Sequence, residues 1–77
     1  MLGQRIKKYL TENGIKQTYL ADKTGFSNSI ISDMLNGIRK IETTEYFKIC
    51  KALNVSFDFF YEDEEWNLTK QTELISN

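Results

Sequence analysis

Glycine and asparagine cut this chain into short pieces. Asn13-Gly14, Gly25, Asn36-Gly37 and Asn54 each close a segment with helical periodicity, and both residue types accept the left-handed backbone that ends a helix. The sequence contains no proline. Runs of alternating apolar and polar residues long enough for a sheet are absent as well. A chain punctuated in this way must pack several short helices around one core.

The apolar spacing places those helices. Leu2, Ile6, Tyr9 and Leu10 recur at intervals of three and four, which is one face of a helix ending at Asn13. Gln17 to Thr24 reads as a second, shorter helix with Leu20, Ala21 and Thr24 turned inward. A third begins at Ser27, whose hydroxyl suits an N-cap, and runs to about Asn36. On that helix Ile30, Ile31, Met34 and Leu35 share one arc, while Asn28, Ser29, Ser32, Asp33 and Asn36 share the other. A loop with Ile38, Arg39, Lys40 and Ile41 leads to a fourth helix, roughly Thr43 to Leu53, with Phe47, Ile49, Cys50 and Leu53 on its core side. Cys50 on that stripe reads as a small buried hydrophobe. Val55 to Phe60 completes the set as a fifth short helix, capped by Ser56 and stapled by Val55 against Phe60. The expected fold is therefore all-α, a five-helix domain over residues 1–61 followed by an acidic and polar tail over 62–77.

Composition narrows the chemistry. With 77 residues, 40% hydrophobic, the chain supports a single small core. One cysteine and no histidine rule out a disulfide framework, a thiolate zinc site and histidine-based catalysis within the chain, so no enzyme activity, metal or cofactor is expected. No apolar run approaches the roughly 20 residues that cross a bilayer, and no secretory core opens the sequence. A cytoplasmic, nucleoid-associated protein with no membrane partner is the expectation. The net charge is only −1, yet it is unevenly distributed: residues 1–40 carry +4 and residues 41–77 carry −5. Such a split orients a molecule in the field of a polyanion, basic side inward.

The second and third helices, joined through Gly25-Phe26, have the helix-turn-helix pattern. Ala21 sits where the two helices approach most closely, and Phe26 lies behind the turn. With "GQRIKKYL" ahead of it, "KQTYLADKTGFSNSIISDMLNG" across it and "KICKALNVSFDFF" behind it, the chain resembles the lambda-repressor-like helix-turn-helix proteins of the xenobiotic-response-element type, which include phage repressors and Cro proteins. The resemblance covers about residues 2–61. It implies that Gln17 anchors a phosphate at a helix N-terminus, that Asn28 and Ser29 meet base edges with Ser32 and Asp33 beside them, and that Asn36, Arg39 and Lys40 contact the sugar-phosphate backbone. Lys16 replaces the family's usual Thr or Ser cap and is a further candidate for phosphate. A family ion pair between the end of the first helix and the end of the third is replaced by Leu10 and Leu35, and the family's proline before the fourth helix by Ile41.

Side-chain chemistry agrees with these roles. A carboxamide such as that of Asn28 matches adenine N6 and N7, a serine hydroxyl donates or accepts, and Asp33 accepts only, as from cytosine N4. Ile30, at the edge of the apolar arc, serves packing or a thymine methyl. The expected function is a sequence-specific double-stranded DNA-binding transcriptional regulator, a repressor, acting as a homodimer on the major groove of a palindromic operator without a small-molecule ligand. Phe57, Phe59, Phe60, Tyr61 and Trp66 exceed what so small a core buries and are expected at the dimer interface; completion of the monomer core is the other use for Phe57 and Phe60. The alternative function is a protein-interaction module, such as an antitoxin or anti-repressor, working through the C-terminal third. The run Glu62-Asp63-Glu64-Glu65 reads as a solvated acidic end held away from DNA.

Overall fold

In the computed structural model, which describes residues 1–61, the chain winds into α1 (Leu2–Glu12), α2 (Gln17–Thr24), α3 (Asn28–Leu35) and α4 (Thr43–Leu53), then a 3-10 turn at Phe59–Tyr61. No strand occurs among the described residues, and none of their helices is long and apolar enough to cross a membrane. Each break falls where the sequence placed it. After α1, Asn13 keeps a right-handed φ of −104° and Gly14 takes the positive φ of 65°. After α4, Asn54 itself adopts φ 58°.

Helices of 8 and 11 residues are marginal in isolation, so their shared core holds them. Ile6 and Leu10 of α1, Leu20 and Ala21 of α2, and Ile31, Met34 and Leu35 of α3 are buried there with Ile49, Cys50 and Leu53 of α4. Helix α2 packs on both α3 and α4, while α1 packs on α3 and the 3-10 turn. Leu10 and Leu35, which stand in place of a family ion pair, are 2% and 0% exposed; an apolar pair there avoids the desolvation cost of burying two charges.

The fourth helix presents a different face from the one expected. Tyr46 is buried and Phe47 is 53% exposed. At about 100° per residue, positions 46, 49, 50 and 53 fall within one narrow arc, and position 47 lies well outside it. Inclusion of Phe47 in the core stripe was therefore an error of phase.

The fifth helix is realised only as the 3-10 turn Phe59–Tyr61. The Ser56 and Asp58 carbonyls accept from the Phe59 and Tyr61 amides at 3.1 and 3.0 Å, three residues on. Instead of capping a helix, the Ser56 hydroxyl lies 2.8 Å from the Asp58 carboxylate, to which it donates. The Phe57 carbonyl accepts from the Tyr46 hydroxyl. That bond draws the chain back onto α4, with the Tyr46 ring edge-on to Phe57, Phe60 and Tyr61 at centroid distances of 4.7, 6.4 and 5.7 Å. Burial pushes the Tyr46 phenol above its ordinary range and also raises the Cys50 thiol beside it, so both stay neutral and Cys50 is a packing residue. The proposed tail, 62–77, lies outside the described residues.

One sequence feature that composition hides is Gly3, buried in the first turn of α1. A methyl group there would run into the Met34 carbonyl oxygen and come within 3.3 Å of the Leu35 α-carbon. The backbones of α1 and α3 therefore meet at this point. Gly3→Ala should separate them and cost about 1–3 kcal/mol, read as a lower urea midpoint with an unchanged slope. A variant as stable as the parent would show that the approach is not close.

Candidate nucleic-acid interface

The turn between α2 and α3 is built from local bonds. Gly25 takes φ 82°, closed to most L side chains, and its amide donates to the Ala21 carbonyl at 2.9 Å. The Thr24 hydroxyl donates to the Leu20 carbonyl at 2.8 Å and accepts from the Phe26 amide at 3.3 Å. Phe26 is half-buried against the core. Ser27 then caps α3, its hydroxyl accepting from the Ile30 amide at 3.1 Å. With its inner side held by Ile31, Met34 and Leu35, α3 leaves Asn28 and Ser29 exposed at its N-terminal tip. The amides of that first turn have no partner within the helix.

One turn further along, Ser32 and Asp33 are half-buried. The Asp33 carbonyl accepts from the Ile38 and Arg39 amides at 2.9 and 3.1 Å, which folds the following loop back onto α3. Asn36 donates to the Ser32 hydroxyl at 3.3 Å and accepts from the Lys7 ammonium at 2.9 Å. Ser32, Asn36 and Lys7 thus form one polar chain joining α1 to the exposed end of α3. Lys7 was not among the sequence candidates. Its signal was Gly3: where two helices touch at one residue, the side chain one turn on stands against the same neighbour.

The loop cations differ in freedom. Lys40 is exposed. Arg39 donates through Nη2 to Glu45 Oε2 at 2.7 Å, with 45% of the Arg39 side chain and 15% of the Glu45 side chain exposed. The other Glu45 oxygen accepts from the Glu42 amide at 2.9 Å, at the start of α4. This amide, and then the Arg39 guanidinium, hold the Glu45 carboxyl below its ordinary range. Arg39 is thereby posted at a fixed place with much of its fork still facing solvent. At the other end of the motif, Lys16 is exposed and Gln17 half-buried on the first turn of α2, and Lys16 makes no side-chain cap. Among the described residues no hydrogen bond ties Lys16 or Gln17 to the α3 group.

The aromatic candidates divide. Phe60 is 6% exposed and belongs to the monomer core, its ring edge-on to Tyr9 at 5.6 Å; a residue so covered offers nothing to a dimer face, and its assignment there is corrected. Phe57, Phe59 and Tyr61 remain 47%, 40% and 37% exposed, and Phe47 joins Phe57 at 6.4 Å between centroids. Trp66 lies outside the described residues.

The model of the Helix-turn-helix family matches residues 6–60 of this chain. Among solved structures, the chain is similar to a chain of the SinR protein–SinI protein complex, with a TM-score of 0.67 and 27% identity, over 100% of this chain and 82% of that one. A search of curated proteins finds no match.

Because the Glu45 carboxyl is held low, its folded-state bonds stabilise the protein in full above the ordinary glutamate value of about 4.3, and that contribution is lost as pH falls through the folded value. Glu45→Gln should melt below the parent at pH 7, and the difference between the two melting temperatures should close in acid. A gap independent of pH would show that the charge on Glu45 plays no part.

Proposed function

The chain belongs to the xenobiotic-response-element type of helix-turn-helix family, whose members are DNA-binding transcription regulators, and on that premise we propose that it reads a specific palindromic operator as a homodimer and represses by occupying it. The observation that carries this reading is the two-sidedness of α3: three apolar side chains anchor it, and Asn28 and Ser29 stand exposed at its tip. In this reading Asn28 and Ser29 meet base edges in the major groove, with Ser32 and Asp33 beside them. A good bidentate base contact discriminates by about 1–3 kcal/mol.

The phosphate contacts come from both flanks. Lys16 and Gln17 hold one strand from the first turn of α2, where unpaired amides favour an anion. Asn36, Arg39 and Lys40 hold the other, joined by Lys7. The Lys7–Asn36–Ser32 chain restricts the Asn36 amide before DNA arrives, which lowers the entropy lost on binding. Exposed Phe57, Phe59 and Tyr61, extended by Phe47, supply the dimer face. A two-fold dimer sets half-site centres about one helical turn, roughly 10 bp, apart.

Selection from a random duplex library should therefore yield a two-fold symmetric consensus; an asymmetric one would remove the homodimer, and no enrichment would remove the operator. Asn28→Ala should relax preference at a single position of each half-site. Arg39→Gln should weaken binding to all sequences and flatten the slope of log K against log salt by about one unit. An unchanged slope would take Arg39 out of the interface.

A further inference from the structure

Helices α2 and α4 leave a groove between them that meets the proposed DNA contacts only at Lys16. One half, about 590 Å³, is lined by the apolar Ile15, Ala52 and Leu53 and also by Lys16. In the other, about 540 Å³, Lys23, Lys48 and Lys51 stand around Thr24. Tyr19 and Ala52 border both halves, so the two adjoin. On α2, Tyr19 lies two positions beyond Gln17, about 200° around the helix, so the groove wall and the proposed phosphate anchor face nearly opposite ways.

The three lysines are oriented but not neutralised. Their ammonium groups lie 5.6, 5.5 and 5.8 Å from the ring centroids of Tyr19, Phe26 and Phe47 respectively. An aromatic face attracts a cation without cancelling its charge. Among the described residues none of the three has a carboxylate at ion-pair distance, and no Asp or Glu lines either half of the groove. The site is a row of positioned, uncompensated cations leading into an apolar slot.

We propose that this groove docks an acidic segment of a partner protein, which sets clustered carboxylates against Lys23, Lys48 and Lys51 and lays an apolar side chain between Ile15 and Leu53. Charge complementarity selects the acidic part. The apolar half selects a peptide over a phosphate backbone or an inorganic anion, since either of those would engage the lysines and leave Ile15, Ala52 and Leu53 bare. Gln17 faces away from the groove, so DNA and partner share Lys16 and no other proposed contact. The inference does not rest on the operator reading, because peptide binding is measured without DNA.

The probe is a fluorescein-labelled synthetic peptide, Glu-Glu-Leu-Glu-Glu-Leu-Glu, titrated with the full chain and followed by anisotropy. The triple variant Lys23→Gln/Lys48→Gln/Lys51→Gln should bind it at least about tenfold more weakly, equivalent to about 1.4 kcal/mol. A charge change elsewhere, in Lys8→Glu, should change affinity less than about twofold, allowing for long-range attraction. Serine in place of both leucines should also weaken the peptide about tenfold. Lys8, Lys23, Lys48 and Lys51 are all exposed, so both variants should keep the parent's circular-dichroism melt; amide shifts in the unmodified protein, expected at Tyr19, Lys23, Lys48 and Ala52, give a readout that needs no variant. Equal losses in the two variants, a serine peptide that binds as tightly, shifts confined to α3, or complete displacement of the peptide by duplex DNA would each overturn the proposal. So would a change in the chain's own association state in the Lys23/Lys48/Lys51 variant, which would make the groove an interface between copies.

Discussion

The apolar grip on α3 is the constraint from which the rest of the molecule follows. Ile31, Met34 and Leu35 are almost fully covered, and at about 25 cal/mol per Å² their burial is a large share of what so small a core supplies. Because α3 has only 8 residues, this packing, and not helix propensity, keeps it formed. A helix held so firmly on one side can afford a polar, exposed tip. Gly3 belongs to the same device, since its missing side chain lets the backbone of α1 rest directly on the end of α3.

Polar bonds then fix what the core leaves loose. The Ser27 cap sets where α3 begins, and the Lys7–Asn36–Ser32 chain holds where it ends. The Arg39–Glu45 pair ties the next loop to the start of α4. Each of these bonds is exposed or nearly so, and exposed ion pairs add little stability. Their effect is positional. They hold cations and amides at the rim of the proposed DNA face, where a flexible chain would lose affinity to the cost of ordering. Glu45 has a second consequence, because a carboxylate beside Arg39 offsets part of that cation's charge and limits its pull on any anion.

Away from α3 the surface carries two further features of different kinds. The aromatic group of Phe47, Phe57, Phe59 and Tyr61 is organised by the buried Tyr46, whose hydroxyl holds the Phe57 carbonyl. It is apolar and fits association between like surfaces. The groove between α2 and α4 pairs cations with an apolar slot and fits a partner of opposite charge. A helix-turn-helix domain with a single recognition surface needs neither; in the proposed reading the first serves the dimer and the second a partner protein.

Much of this was legible in the amino-acid order. The punctuation at Gly14, Gly25, Gly37 and Asn54 marks where helices end because few other residues accept that backbone, and periodicity alone separates the buried arc of α3 from Asn28 and Ser29. The helix-turn-helix pattern is local, so residues close in sequence determine it. What depended on packing was out of reach. A shift of one residue decided between Tyr46 and Phe47, and only the position of α2 and the 3-10 turn against α4 settles which of two adjacent aromatics is covered. Phe60 entered the core, and the fifth helix shrank to a single turn, because Tyr46 captures a carbonyl 11 residues away. Lys7 joined Asn36 across 29 residues, and the groove exists only where α2 and α4 lie side by side. Periodicity and turn chemistry act within a few residues and were therefore decided by the sequence itself; contacts between distant segments depend on how the helices dock, and the tertiary structure alone decided them.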